Sequence, residues 1–259
     1  MQFMKYFTKL VFGVIFGITS IFRCTFMNDN PIYKQAPSDF FAEPELAVAK
    51  AIRKDNIQQI ADLINNNNSI NVNTTGNHGM TLLGWACAHR HPKSVEKLLE
   101  LGADPNLEII DGDSKIHLVA ITASGVNDEV FELLLNNNGN PNGRMDGAPA
   151  IFKAIYADRL DRLKLLVDKG ADIDIIDQQT YTSPITFCGR INQFEYVVWL
   201  LEQGADHTHN RKGGNVALSI QMQKGKLTED AEKWRAKAEQ LLIERGVQFP
   251  VPLPWEQNK

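Results

Sequence analysis

The chain has little of what most recognisable chemical sites are built from. Only three of its 259 residues are cysteine: Cys24, Cys87 and Cys188. That is too few for a disulfide framework, and the spacing is not that of a zinc site. There is no glycine-rich phosphate loop and no nucleophile motif of the G-x-S-x-G kind. Basic residues are not in excess: 27 Lys and Arg stand against 31 Asp and Glu, a formal net charge of −4. The basic footprint of a general nucleic-acid binder is therefore missing. The uncharged run Leu10–Phe22 stops at thirteen residues, short of the about 20 that span a bilayer. Apolar residues are not scarce, however. At 43% they suffice for a buried core, which excludes disorder of the chain as a whole.

The first residues read as a targeting segment. Lys5 and Lys9 precede the apolar run Leu10–Phe22, the order of an export signal or a membrane anchor. A buried N-terminal helix is the bland alternative. No small-residue cleavage pattern follows, and Arg23 before Cys24 disfavours lipidation there. Residues 1–27 are thus assigned to a signal peptide or anchor. Residues 28–45, polar with Pro31, Pro37 and Pro44, are assigned to a linker.

From Leu46 the pattern changes. The phrase "LLELGADPN" at Leu98 returns as "LLVDKGADID" at Leu165 and "LLEQGADHT" at Leu200. The glycines Gly102, Gly170 and Gly204 lie two periods of 34 and then one period apart, which marks a stacked-repeat protein. Each unit reads as two short helices. The unit beginning at His78, for instance, predicts a helix from Thr81 to about His89, a break at His91-Pro92 and a second helix to Glu100. Neither helix can bury its apolar face alone, so neighbouring units must stack. Leu98, Leu99, Leu134, Leu135, Leu165, Leu166, Leu200 and Leu201 are the expected shared core.

These residues carry a family resemblance. His78-Gly79-x-Thr81 with Ala86, Asp111-Gly112-x-Ser114 with His117, Asp146-Gly147, Ser183-Pro184 and the three Gly-Ala-Asp endings resemble the ankyrin repeat. The resemblance implies an all-α solenoid of about six helix-turn-helix units, joined by short hairpin-like turns, over residues 46–248. It also implies a protein-binding module with no catalytic residue, cofactor or metal. The first unit lacks the turn signature, as a terminal cap would. Carried over position by position, the partner-binding face would hold Met80, Trp85, His89, Leu118, Tyr156, Phe187 and Arg190. Ala88, Thr122, Lys153 and Ile220 fall beside them. Trp, Tyr, Phe and Arg are the types enriched at binding hot spots. The alternative is that some of these side chains turn inward.

The histidine pairs His89-x-His91 and His207-x-His209 sit in different units, and all six histidines read as structural or solvated. Cys87 and Cys188 lie three units apart, roughly 30 Å for helices packed about 10 Å apart, and read as buried small residues. The tail 249–259, with "FPVPLPW", must be extended. It either folds back over the last unit through Phe249, Leu253 and Trp255 or serves as a ligand for a proline-binding domain.

The expected function is capture of one protein partner outside the cytoplasm, in the periplasm or at the inner membrane. Membrane contact would run only through the N-terminal segment, and no nucleic acid would be bound. Exported bacterial ankyrin proteins include some that look like immunity proteins against secreted toxic enzymes such as type VI phospholipases. Others accompany periplasmic catalases. An envelope scaffold is a third reading.

Overall fold

The computed structural model describes residues 35–125, 127–209, 214–223 and 227–253. The apolar run Leu10–Phe22, Cys24 and Trp255 lie outside these. The described residues form twelve α-helices in six antiparallel pairs, with two short β-hairpins. The chain divides into two compact units, residues 1–139 and 140–259.

The N-terminal unit contains α1 (Glu45–Arg53), α2 (Ile57–Asn65), α3 (Leu82–His89), α4 (Pro92–Glu100), α5 (Leu118–Ala123) and α6 (Asp128–Asn136). Each consecutive pair packs together, and first helices stack on first helices, second on second. The helix starts follow from local chemistry. Asn56, Thr81 and Asn127 cap α2, α3 and α6 by accepting from Gln59 N, Gly84 N and Val130 N. Between α4 and α5 a hairpin pairs β1 (Ile109–Asp111) with β2 (Ser114–Ile116), in the register Ile109 to Ile116.

The C-terminal unit repeats the plan with α7 (Ala150–Tyr156), α8 (Leu160–Asp168), α9 (Pro184–Arg190), α10 (Phe194–Glu202), α11 (Val216–Gln221) and α12 (Glu229–Glu244). Its hairpin joins β3 (Arg144–Met145) to β4 (Ala148–Pro149) across Asp146-Gly147. Both turn residues have positive φ, as a tight hairpin turn requires. Asn215 and Thr228 cap α11 and α12.

Leu98, Leu134, Leu166 and Leu200 have no exposed surface. Each such burial is worth about 1.5–3 kcal/mol before ordering costs. Leu99 and Leu165, on the flank of the same helices, are half-buried.

The repeated phrase has a hydrogen-bonding explanation. Gly102, Gly170 and Gly204 end their helices at φ of +88° to +90°, with open space where a Cβ would stand. They are therefore needed for backbone conformation alone. The Asp two residues after each glycine, and Asn140 two after the left-handed Asn138, fold their own loops. Asp104, Asn140, Asp172 and Asp206 each accept from the backbone N–H two positions ahead. The side chain at that next position grips the following loop. Asn73 donates to the Gly102 carbonyl and accepts from Asp104 N. Asn142 does the same with Gly170 and Asp172. Asp174 accepts from Asp206 N at 2.9 Å but has no amide hydrogen to return.

The assigned linker is only partly a linker. Pro37–Asp39 make a 3-10 turn, and Phe40 and Phe41 after it are buried at 4% and 3% exposure. Their rings lie 5.3 and 6.1 Å from the Trp85 ring. Asn77 secures this strap, donating through its backbone N–H to the Phe40 carbonyl and through Nδ2 to the Asp39 carbonyl. At the other end, the Gln221 side chain donates to the Val251 carbonyl and accepts from Val251 N. The tail to Leu253 is thereby held against α11, with Phe249 and Leu253 half-buried. Among the described residues no helix is long and apolar enough to cross a membrane.

Candidate functional site

In each unit the first helices are packed on their own second helix and on the neighbouring first helices. Only a narrow strip is left open. That geometry decides the fate of the residues expected on a binding face.

In the N-terminal unit most of them are core. Trp85 is fully buried, Met80 is 4% exposed and Leu118 1% exposed. Trp85 is wrapped by the strap and by α1, and its Nε1 donates to the Ala49 carbonyl at 3.1 Å. Six of the eight residues of α3 are buried. The sequence carries a sign of this: "LLGWACA" is apolar all round rather than on one stripe, as buried helices are. His89 is half-buried, its ring 4.2 Å from that of Trp85, and its Nδ1 lies 3.0 Å from the Trp85 carbonyl. Burial lowers its pKa from 6.5, with His91 and Arg53 adding to the effect, so it is neutral at pH 7. His89 and His91 stack at 5.9 Å. Among the described residues no three His, Cys, Asp or Glu side chains converge in a way that could hold a metal ion.

In the C-terminal unit the expected residues separate. Phe187 is 8% exposed, packed 5.5 Å from Phe152 and 4.6 Å from Tyr156 by ring centroids. Lys153 and Ile220 are buried as well. The exposed aromatic row expected from the sequence is therefore absent: Trp85 and Phe187 are core, for the packing reason above. Tyr156 and Arg190 do reach the surface in part. They occupy the same position on consecutive first helices, two residues ahead of the left-handed Asp158 and Asn192. Met222, 48% exposed, takes the corresponding place after α11.

Among the described residues, nothing engages the polar ends on this strip. No hydrogen bond or ion pair joins the Arg190 guanidinium to any described residue, and burial alone lowers its pKa. The Tyr156 hydroxyl has none either. Burial first, and then the charge of Asp177, push its pKa up to about 12, so it keeps its proton. Asp177 does not serve as their acceptor. Its Oδ1 is occupied by Gln179 N, Thr180 N and Thr180 Oγ1 in the following turn. Gln223 Nε2 donates to the Arg190 backbone carbonyl at 3.0 Å, which fixes the end of α9.

Comparison with known proteins agrees with this architecture. A family model for three copies of the ankyrin repeat matches residues 116–211, and one for a single ankyrin repeat matches residues 78–107. Protein PhlB of Serratia liquefaciens is 32% identical over 161 residues, covering 61% of this chain and 68% of PhlB. The chain belongs to the ankyrin-repeat family. The ankyrin domain of Bcl-3 superposes with a TM-score of 0.65 at 19% identity, over 81% of this chain and 90% of that one. An ankyrin-repeat domain from Acinetobacter baumannii gives 0.63 at 17% identity, over 79% of this chain and all of that one. At such identities these two structures speak to the fold alone. Ankyrin repeats form protein–protein interaction modules, and this is the coarse functional class of the chain.

Proposed function

We propose that this ankyrin-repeat chain captures a single protein partner outside the cytoplasm and turns over no substrate. The observation that carries the reading is the strip on the C-terminal unit. Arg190 and Tyr156 are presented there on helices whose other residues are buried, with Met222 exposed just after α11. Such a surface is preorganised, so little conformational freedom is lost on binding. Arg and Tyr are also types that dominate binding energy when a partner covers them. Within this reading we favour a secreted toxic enzyme as the partner, which the chain would block as an immunity protein. Delivery would depend on Lys5, Lys9 and the apolar run after them.

The test is affinity capture from the native cells, with the full chain tagged after Lys259. One dominant partner should appear, and Tyr156→Ala combined with Arg190→Ala should lose it while the helical signal persists. Adding the chain to that partner should inhibit it. An increase in the partner's activity would instead favour an accessory role, such as support of a catalase. Several partners at equal yield would overturn the single-partner reading. A reporter active only outside the cytoplasm, fused after Lys259, should be active and fall silent when residues 1–22 are removed.

A further inference from the structure

We infer that the strip on the C-terminal unit is a carboxylate-recognition site, and that the partner enters it with an Asp or Glu side chain beside an apolar residue. This rests on the partner-binding reading and specifies its chemistry.

The strip presents donors for which no described residue supplies an acceptor. Arg190 offers up to five N–H groups and no acceptor. None is used by a described residue, although the side chain is half-buried on a helix packed between α7 and α11. Tyr156 adds a hydroxyl that holds its proton and likewise has no partner. First helices pack about 8–10 Å apart, so residues at matched positions on α7 and α9 are near enough to serve one extended side chain. The nearby Asp177 accepts three donors of its own turn through Oδ1 and bonds neither Arg190 nor Tyr156. A ligand seated here must therefore bring acceptors, and preferably negative charge.

The surroundings choose among anions. Phe187 lies one helical turn before Arg190, with Tyr156 against it at 4.6 Å, and Met222 supplies exposed apolar surface at the matched position on the other side. A planar carboxylate is matched by a single guanidinium fork, and the flanking thioether and rings suit a neighbouring aliphatic or aromatic residue. Phosphate-binding sites normally gather several cations. Lys153, on the neighbouring α7, is buried and already engaged.

The test uses terminally blocked nonapeptides, degenerate except for a fixed central Asp, Glu, Asn, Gln, Lys or phosphoserine, probed with the labelled full chain. The Asp and Glu sets should bind about tenfold better than Asn and Gln, as expected for a charge-assisted pair. Strong secondary enrichment for apolar neighbours should accompany this. Arg190→Gln should bring the ratio to about one, and Arg190→Lys should keep part of it. Tyr156→Phe should weaken both acidic sets. Since no described residue bonds the Arg190 guanidinium, its variants should melt with the wild type. Equal binding of acidic and amide sets would overturn the inference, as would a preference surviving Arg190→Gln, or a phosphoserine set that outbinds Asp and Glu. The outcome is separable from that of the partner reading. A captured partner indifferent to Arg190→Gln would sink only the carboxylate site. Acid-selective peptide binding without any captured partner would sink only the capture role.

Discussion

Replacing Asp174 by Asn should stabilise the C-terminal unit. Two other steps of the loop ladder use an asparagine that both donates to a glycine carbonyl and accepts from the next N–H, as Asn73 and Asn142 do. Asp174 keeps only the accepting half, with Asp206 N, and no described residue donates to the Gly204 carbonyl. The carboxylate is also held above its ordinary pKa of 3.8, by burial first and then by the negative charges of Asp206 and Asp172. Asparagine would supply the missing hydrogen and remove the charge. One added hydrogen bond is worth about 0.5–1.5 kcal/mol, or roughly 1–6 °C in a chain of this size. The pH dependence has a definite sign. A carboxyl with a raised folded pKa binds its proton more tightly when folded, so the wild type gains stability as pH falls through the window just above 3.8. Its protonated form also carries a hydrogen to donate. The advantage of Asp174→Asn should therefore be full at pH 7 and shrink toward about pH 4. Thermal unfolding followed by far-ultraviolet circular dichroism at several pH values reads both effects. A variant no more stable than wild type at pH 7, or an advantage independent of pH, would refute the reasoning.

Three further outcomes follow from packing. Trp85→Ala should cost about 3–5 kcal/mol, because it empties the ring's site and strips Phe40 and Phe41 of their contact. Trp85→Phe should cost less; a Trp85→Ala chain melting with the wild type would return Trp85 to the surface. Gly102→Ala should cost about 1–2 kcal/mol through its positive φ alone. Gly79→Ala should cost more in the same denaturation series, since a Cβ there would also meet Ile110 N at 2.4 Å. Cys87, whose thiol burial pushes up to about 12, and Cys188, raised further by the same cause, should resist alkylation until the chain is unfolded; peptide mapping by mass spectrometry checks each.

The repeat architecture was legible because its signals are local and recur: a left-handed glycine, an Asx turn, a cap and a helix break. The helix expected from Thr81 to about His89 is present, with Thr81 as its cap and His89 as its last residue. The face was harder to read. Whether Trp85 points out or in depends on a strap 44 residues earlier in the chain, and no periodicity encodes that contact. The adjacent pair Phe40-Phe41 was the available clue, hidden in a segment rich in proline. Arg190 and Tyr156 could be placed on the strip from their positions, but their lack of acceptors is a property of everything around them. Only the folded chain displays it.

The strap also bears on the order of events at the ribosome. Phe40 and Phe41 are made before any of the described α-helices, yet their shared contact, Trp85, emerges about 44 residues later. At typical elongation rates that is an interval of roughly 2–9 s. During it α1 and α2 can already pair, while two neighbouring aromatic rings stay uncovered. Among the described residues, the first apolar core side chains synthesised must thus wait for Trp85 to cover them. Whatever binds the nascent chain near residue 40 in that interval holds the N-terminal unit open.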